Sequence, residues 1–589
     1  MTDGTQPTRI RYLVVGVAFL SALLLYLHRF CLSFTQQFVK EDLGLTNDQF
    51  SWCLSAFFFA YALGQVPSGW MSDRFGARLM LVVYIVTWSA FTATVGAVNG
   101  FVMLFIVRIG IGLGQAGAYP TSAALVRRWV PPPSRGKANS VVAFGGRMGG
   151  FLAPVLTAYL VVSFVPDGED SAAITTNDIF NRDILAADLY TPVSDLPISP
   201  EAEAVHNVRR RVYDRLPETA QTEIRNFSKA GDEELARRRK LGAWSAERQP
   251  PTQLVTGFVT TASELQAGSI LAMPDELKYL PLQREARQLA ERPVRTRRET
   301  VRLNRLILEA AFPDSIRKLY VQGWRPVMFV YGSAGLIVAG LFWMCFRERP
   351  AEHPWCNSAE RELIAAGQPS ESDSASGTHH GGVPIREILS SRSLWLMCVN
   401  QFGGNVGWVF LLTWLPRYLL EVHSVPFVER NWMAAVPLSV GWMGMLLGGW
   451  LTDRIVGRIG LRWRTLPIVV GRLLAATAYL SCLFVPNAWV ATVAFAVIAF
   501  TNDMGNPSSW AYKQDVGGRH VGAVHGWANM WGNFGAAVSP LFLQRIIEDF
   551  GWNAAFLAGA GAFIVAGVAA MGVDARIPVV RDDPATEDS

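Results

Sequence analysis

"FIVRIGIGLGQAGAYP", residues 105–120, sets one arginine, Arg108, into an apolar run that also contains Gly112-Leu113-Gly114-Gln115-Ala116-Gly117. Those six residues match the G-x-G-x-x-G of dinucleotide-binding loops, so a soluble nucleotide fold has to be weighed against a membrane helix. A dinucleotide loop needs a strand before it, a helix opening at it and an acidic residue ~20 positions on. Here the motif sits in the middle of an apolar run, and the chain from 135 onward is basic. Glycines at 110, 114 and 117 instead permit close helix packing in a bilayer. The stretch reads as a membrane helix, and no cofactor is expected.

The rest of the chain agrees. Of its 589 residues 50% are apolar, with 20 Trp and 33 Phe. Mean hydropathy is only +0.22, so a polar region must dilute the apolar segments. Runs of about twenty apolar residues, enough to cross a hydrocarbon core of ~30 Å, recur twelve times. They are 12–34, 50–71, 78–98, 101–125, 139–164, 325–347, 393–417, 431–452, 464–485, 488–512, 521–545 and 553–573, numbered here as spans 1 to 12. Span 1 is expected to stay on the chain, because it is longer than a signal-peptide core and no small-x-small cleavage site follows it. The six cysteines lie in or beside spans, and none falls in the polar region 166–322, which is therefore no disulfide scaffold. A net charge of +5 is small for this length, and its placement matters more.

Short loops set the orientation. Arg9 and Arg11 precede span 1, Arg74 and Arg78 follow span 2, and Arg127, Arg128, Arg135 and Lys137 follow span 4. Arg454, Arg458, Arg462 and Arg464 follow span 8, and Lys513 and Arg519 follow span 10, whereas 99–100 and 486–487 carry no positive charge. The positive-inside rule puts both termini in the cytoplasm of a cell (inner) membrane protein.

The sequence also repeats. "GWMSDR" at 69–74 returns as "GWLTDR" at 449–454, and "GKANSVVAFGGRMGGFLAP" at 136–154 aligns without a gap to "GAVHGWANMWGNFGAAVSP" at 522–540. Two matches in the same order at nearly the same offset point to two parallel six-span halves, an all-α membrane fold of twelve helices in two pseudo-symmetric bundles.

The expected division is 1–165 for helices 1–5 and 166–322 for a helical insert outside the cytoplasm, without a catalytic motif. Helix 6 takes 323–347, a cytoplasmic central loop 348–392, helices 7–12 393–575, and a cytoplasmic tail 576–589. The insert is rich in Arg, Glu and Leu, and its plainest role is a cap or assembly surface, with ligand capture or partner binding as the alternative. The adjacent His379 and His380 lie in a Ser/Gly linker and are read as linker, with no metal site expected.

Four charges lie deep in spans. An arginine at a span centre costs at least ~2.5–3.5 kcal/mol and so faces a polar cavity with a partner or ligand. Arg108 is eight residues into span 4, about 12 Å along a helix, too far to snorkel easily. Arg29 in "YLHRFCLSF", Arg147 in "FGGRMGG" and Asp503 in "FTNDMGNPSSW" share that position, while Arg472, nearer an end of span 9, is expected to snorkel. Three deep arginines against one acid leave a positive cavity, which attracts anions.

These residues resemble the anion:cation symporter branch of the major facilitator superfamily, which includes hexuronate, glucarate and galactonate transporters, sialin and vesicular glutamate transporters. "GWMSDRFGARLM" is similar to the superfamily's loop motif, and "FLLTWLPRYLLEVHSV" at 410–425 and "HGWANMWGNFGAAVSP" at 525–540 are closer to the branch. The resemblance covers about 10–165 and 320–575 and leaves the insert outside.

It implies that Arg29 and Arg108 clamp a substrate carboxylate, for which the bidentate guanidinium is suited. It implies further that Tyr26, Tyr61, Asn405, Asn529, Asn533 and Trp510 contact substrate and that Arg147 adds a cation. Asp73, Arg74, Asp453 and Arg454 would form a cytoplasmic gate. Proton-coupled relatives place an Asp immediately before the span 1 arginine and a Glu seven residues after the span 4 arginine. Here those positions hold His28 and Gln115. Glutamine cannot titrate, so His28 and Asp503 are the remaining proton candidates; a uniporter, an exchanger or sodium coupling fits as well.

The expected function is secondary transport of a small organic anion, such as a hexuronate, a glucarate or a dicarboxylate, by a monomer in the bilayer. Proton or sodium are the co-ions considered; no enzyme activity and no nucleic acid are expected. The rivals are a transporter-like sensor using the insert, an enzyme domain within it, and export of amphipathic drugs, which the arginine-rich cavity disfavours.

Overall fold

The computed structural model describes the chain except residues 1–5, 132–134, 166–171, 180–181, 191–198, 228–251, 283, 366–384, 518–520 and 580–589. His379 and His380 and most of the C-terminal tail lie outside the described residues. Apart from an isolated bridge between Ile179 and Ile316, every regular element described is a helix.

Nine described helices are long and apolar enough to cross a bilayer, and one of them, Ala523–Met571, contains both span 11 and span 12. The chain turns between those two at Gly551, whose φ of 80° a side chain would strain. Span 2, Asn47–Phe75, and span 7, Arg392–Thr413, complete the twelve. Polar residues such as Gln65, Ser68, Asn400 and Asn405 lower their hydropathy, and both helices pack within the protein rather than only against lipid. Spans 4 and 10 are each interrupted for a single residue, at Gly117 and Gly505.

The repeat read in the sequence is repeated in space. Gly149 of span 5 lies so close to span 1 that an added Cβ would stand 2.1 Å from Leu23 O. Its repeat partner Gly535 meets span 7 in the same way, 2.3 Å from Phe402 O. Ser72 and Thr121 share a hydrogen bond between spans 2 and 4, and Thr452 and Ser508 share one between spans 8 and 10. The glycines of the opening stretch also act as packing residues. A Cβ on Gly112 would lie 2.4 Å from Phe57 O of span 2, and one on Gly114 2.9 Å from Trp88 N of span 3.

The segment between spans 5 and 6 folds into helices, including Pro200–Tyr213, Gln253–Ala267 and Arg297–Ala311. Its core, Val208, Val212, Phe258, Leu303, Ile307 and Phe312, is continuous with that of the first bundle. Ser199, Thr252 and Thr296 cap the three helices with side-chain oxygens. The buried Asn304 donates to Leu265 O (3.1 Å) and Ser269 O (3.0 Å) and accepts from Leu271 N (2.9 Å), tying the turn after Ala267 to the last helix.

That segment is fixed to the first bundle. Asp42, just after span 1, accepts from Arg317, from Arg325 Nε (2.7 Å) and from Trp324 Nε1 (3.3 Å). Glu309 holds Leu319 N (2.8 Å) and pairs with Arg305 (2.7 Å).

The two bundles meet along spans 2 and 11 and along spans 5 and 8. Phe59 meets Phe534 at 6.1 Å and Phe144 meets Trp442 at 6.1 Å between ring centroids. At the end that carries the polar segment, Phe38 packs on Phe427 at 4.6 Å, Arg430 donates to Gln37 (2.8 Å) and Arg545 pairs with Asp48 (2.8 Å).

Candidate functional site

Two polar clusters occupy the middle of the bilayer, one in each half. In the first half, Arg29 Nε donates to Gln115 Oε1 at 3.1 Å, and Gln115 Nε2 in turn donates to Leu25 O at 3.2 Å. The Arg29 guanidinium lies 4.5 Å from the Tyr61 ring centroid, 5.1 Å from Tyr26 and 5.3 Å from Phe57. Arg108, 1% exposed, stacks on Phe57 at 4.7 Å and donates to Cys53 O at 3.2 Å. Aromatic faces thus stabilise both cations where water cannot, a contribution of about 2 kcal/mol when desolvated. One guanidinium nitrogen on each, Arg29 Nη2 and Arg108 Nη1, has no hydrogen-bond acceptor. An acceptor-poor pair of guanidinium groups is what a carboxylate would complete.

In the second half, Arg472 is 4% exposed and donates to Asn400 Oδ1 (3.1 Å) and to Asn502. This corrects the snorkelling expected from its position in the sequence: two amides hold the cation inside the bundle, so it has no need to reach the interface. Asn502 and Asn506 then donate to Asp503 Oδ1 at 3.1 and 3.0 Å. The other Asp503 oxygen pairs with Arg147 Nη1 at 3.1 Å. That pair crosses from span 5 to span 10, and hence from one bundle to the other.

Arg147 and Asp503 border a small midplane cavity of about 10 Å³, lined also by Tyr26, Phe30, Trp408 and Leu438. A Cβ on Gly146 would stand 2.6 Å from Tyr119 Oη and 2.9 Å from Tyr26, so glycine there leaves room for both rings. Arg29 reaches the cavity through Tyr26, on which it stacks; Arg108 is a layer further back, behind Phe57. The expectation of one open chamber shared by three arginines is corrected accordingly. The halves meet at this level through the Arg147–Asp503 contact.

Other expected residues distribute as follows. Tyr61 is in the Arg29 cluster. Asn405 faces Gly532, where a Cβ would lie 2.6 Å from its Nδ2. Asn529 donates to Gln65 across the bundle interface at 3.1 Å, and Asn533 donates to Asn529 O at 2.8 Å, within its own helix. His28 is buried against Tyr331 of span 6, with ring centroids 6.0 Å apart, and takes no part in lining the midplane cavity. Trp510 is corrected outright. It is 42% exposed on the rim of span 10, because the helix turns Ser508, Ser509, Tyr512 and Lys513 inward.

Of the gate residues, Arg74, Asp453 and Arg454 are exposed. Arg74 stacks on Trp70 (5.3 Å) and Arg454 on Trp450 (5.1 Å); the Asp73 side chain lies outside the described residues. The loop after span 2 is held by Glu348, which accepts from Ala77 N (3.2 Å) and Arg78 N (2.9 Å).

Sequence reasoning missed Tyr119, Phe30, Trp408, Asn400 and Asn502. Tyr119 was detectable, since it follows Arg108 by three helical turns on one face. Asn400 and Asn502 show no such signal, because only the fold brings spans 7, 9 and 10 together.

Residues 18–166 and 319–540 match the Major Facilitator Superfamily. The chain belongs to that family. Two of the curated relatives named here span nearly all of it, and a third about a quarter. The "Probable galactarate/D-glucarate transporter" of Bacillus subtilis is 22% identical over 96% of this chain and 92% of that protein. The "Probable sulfoacetate transporter" of Cupriavidus necator is 22% identical over 93% of this chain and 89% of that protein. The "Hexuronate transporter" of Bacillus subtilis is 34% identical over 26% of this chain and 36% of that protein.

Among solved structures, an inward-facing bacterial homologue of the human lysosomal transporter Spinster superposes with a TM-score of 0.55. It covers 97% of this chain and 96% of its own at 16% identity, and that likeness bears on the fold alone. The chain is thus a multi-pass membrane protein with the twelve-helix major facilitator fold.

Proposed function

We propose that this protein is a carrier, not an enzyme, that moves a small polyhydroxy carboxylate, a sugar acid such as a hexuronate or glucarate, across the cell inner membrane. The cytoplasm holds both termini and the 348–392 loop; residues 166–322 form an insert on the opposite side, where the uncharged short loops also lie. The relatives named above carry sugar acids and a sulfonated acid by their printed names, which supports an anionic cargo.

The observation that carries the reading is the Arg147–Asp503 pair at 3.1 Å, joining the two bundles across the midplane cavity. An ion pair in that position has to break each time the halves part. Breaking it unaided leaves two buried charges, a cost of ~3–5 kcal/mol. A substrate carboxylate supplies the replacement partner for Arg147. Its other end, or its hydroxyls, then meet Tyr26 and the acceptor-poor Arg29. Released Asp503 is satisfied by a proton, so substrate and proton enter together. Gln115 has no proton to exchange and His28 faces span 6, which leaves Asp503 as the coupling group.

The test is uptake of D-glucarate into proteoliposomes with and without a pH gradient. Asp503→Asn is expected to lose gradient-driven accumulation and to retain exchange of internal for external substrate. Accumulation by that variant at the wild-type level would remove Asp503 from coupling, and wild-type uptake by Arg147→Ala would remove the ion pair from the transport path. Accumulation that follows a sodium gradient instead would make sodium the co-ion.

A further inference from the structure

A second cavity, larger than the one at the midplane, lies toward the outer end of the bundles. A chamber of about 810 Å³ lies under the insert, walled by the end of the insert's last helix (Leu306, Ala310, Pro313) and by the outer ends of both bundles. One turn of span 1 separates it from the midplane cavity: Phe30 lines the inner space, and Ser33 and Phe34 line the outer one. On the other side, Trp408 lines the inner space and Pro416 the outer. The Phe30–Trp408 pair, 6.1 Å between centroids, stands between them. The chamber and the midplane cavity thus face one another across a single turn of span 1.

The lining is neither apolar nor of one sign. Four cations, Lys40, Lys318, Arg417 and Arg430, are outnumbered by six carboxylates, among them Glu41, Glu309 and Glu548, beside Trp552 and Phe427. A simple anion would be repelled by the carboxylates, and an apolar ligand would strip water from every charge without replacing it. A polyhydroxy carboxylate satisfies both sets: its carboxylate accepts from Lys and Arg, and its hydroxyls donate to Glu. The cations also have anchors that hold them in place. Arg417 sits 2.5 Å from Glu421 and 2.7 Å from Gln544, and the buried Arg430 donates to Gln37 of the opposite bundle.

The two walls belong to different moving parts. The insert is fixed to the first bundle through Asp42, whereas Pro416, Arg417, Phe427, Arg430 and Trp552 belong to the second. Rocking of the bundles changes the chamber's shape as it opens or closes the midplane.

We infer that this chamber is a second, outer binding site for the transported polyhydroxy carboxylate, an antechamber built by the insert and occupied before the midplane site. The inference rests on the sugar-acid reading given above. Its test is equilibrium binding of D-glucarate to the purified full chain in nanodiscs, with uptake kinetics alongside. Wild type is expected to bind at two sites, and Arg29→Ala/Arg147→Ala, which cripples the midplane, at one.

Adding Ala310→Trp, which fills the chamber from the insert side, is expected to abolish the remaining binding. Lys40→Gln/Arg417→Gln reaches the same end without added bulk, and alone is expected to raise KM for uptake about 10-fold with kcat held within about twofold. If the Arg29→Ala/Arg147→Ala variant binds no glucarate while wild type does, or if both chamber variants leave binding and KM unchanged, the antechamber is refuted and the carrier reading stands. If wild type binds neither glucarate, galactarate nor a hexuronate, the carrier reading itself fails and the antechamber with it.

Discussion

The two halves solve the same problem of a buried arginine by different means. In the first, Arg29 is held by an amide, Gln115, and by three aromatic faces. In the second, Arg472 is held by two amides, Asn400 and Asn502, with one ring, Phe563, at 5.6 Å. Gln115 and Asn502 are 387 residues apart, the same spacing as Thr121 and Ser508, which make equivalent contacts in the two bundles. The repeat thus kept an amide at this level in both halves and changed its surroundings. The first half accumulated guanidinium groups without an acid, and the second placed Asp503 next to its amide. Charge balance is reached only where the halves touch, at Arg147 and Asp503.

The largest effect should come from that contact. Arg147→Ala leaves Asp503 buried without its cation, and D-glucarate uptake is expected to fall about 100-fold or more, in line with ~3–5 kcal/mol for an orphaned buried charge. Exchanging the two residues, Arg147→Asp with Asp503→Arg, should recover part of the uptake if the pair acts as a latch between bundles.

Next in size is Arg29→Lys. An ammonium keeps the charge and loses the planar stacking on Tyr61 and Tyr26, so KM is expected to rise about 10-fold with little change in protein yield. The matching change in the second half, Arg472→Lys, should leave KM within about twofold, because Arg472 does not line the midplane cavity. Equal effects on KM would erase the functional distinction between the halves. In melting experiments, Arg472→Met should cost stability instead, ~1–3 kcal/mol for the amide groups left without a partner.

The smallest effect concerns the outer end, where burial pushes the Glu41 carboxyl up to about 7 despite the opposing influence of Lys318 and Gln37. An acid whose folded value exceeds its ordinary 4.5 destabilises the fold progressively as pH rises from about 4.5 to 7, with no further change above. Glu41→Gln should melt with wild type at pH 4 and about 1–3 °C higher at pH 8, the scale expected for up to ~3 kcal/mol in a chain this long. Neighbouring Glu309 contributes in the same direction, so a flat difference across pH would assign the effect elsewhere.

The spans, the repeat and the deep charges were legible in the chain because a bilayer imposes a coarse rule: about twenty apolar residues per crossing, with every polar exception needing a reason. That rule located Arg29, Arg108, Arg147 and Asp503 individually. It misjudged Arg472 because hydropathy gives depth along a helix and says nothing of which neighbour a face meets. Trp510 failed for the same reason, since its helix has inward and outward faces and the motif match did not choose between them.

By itself, then, the sequence determined the class of fold, the two related halves and the excess of positive charge at mid-membrane depth, all of which follow from periodicity and composition along one dimension. Only the tertiary structure decided which charges meet, that Asp503 satisfies Arg147 from the opposite bundle, and that the insert encloses a chamber over the outer mouth. Pairing of that kind depends on side chains from helices distant in sequence arriving within about 3 Å of one another, a distance set by packing and not by order in the chain.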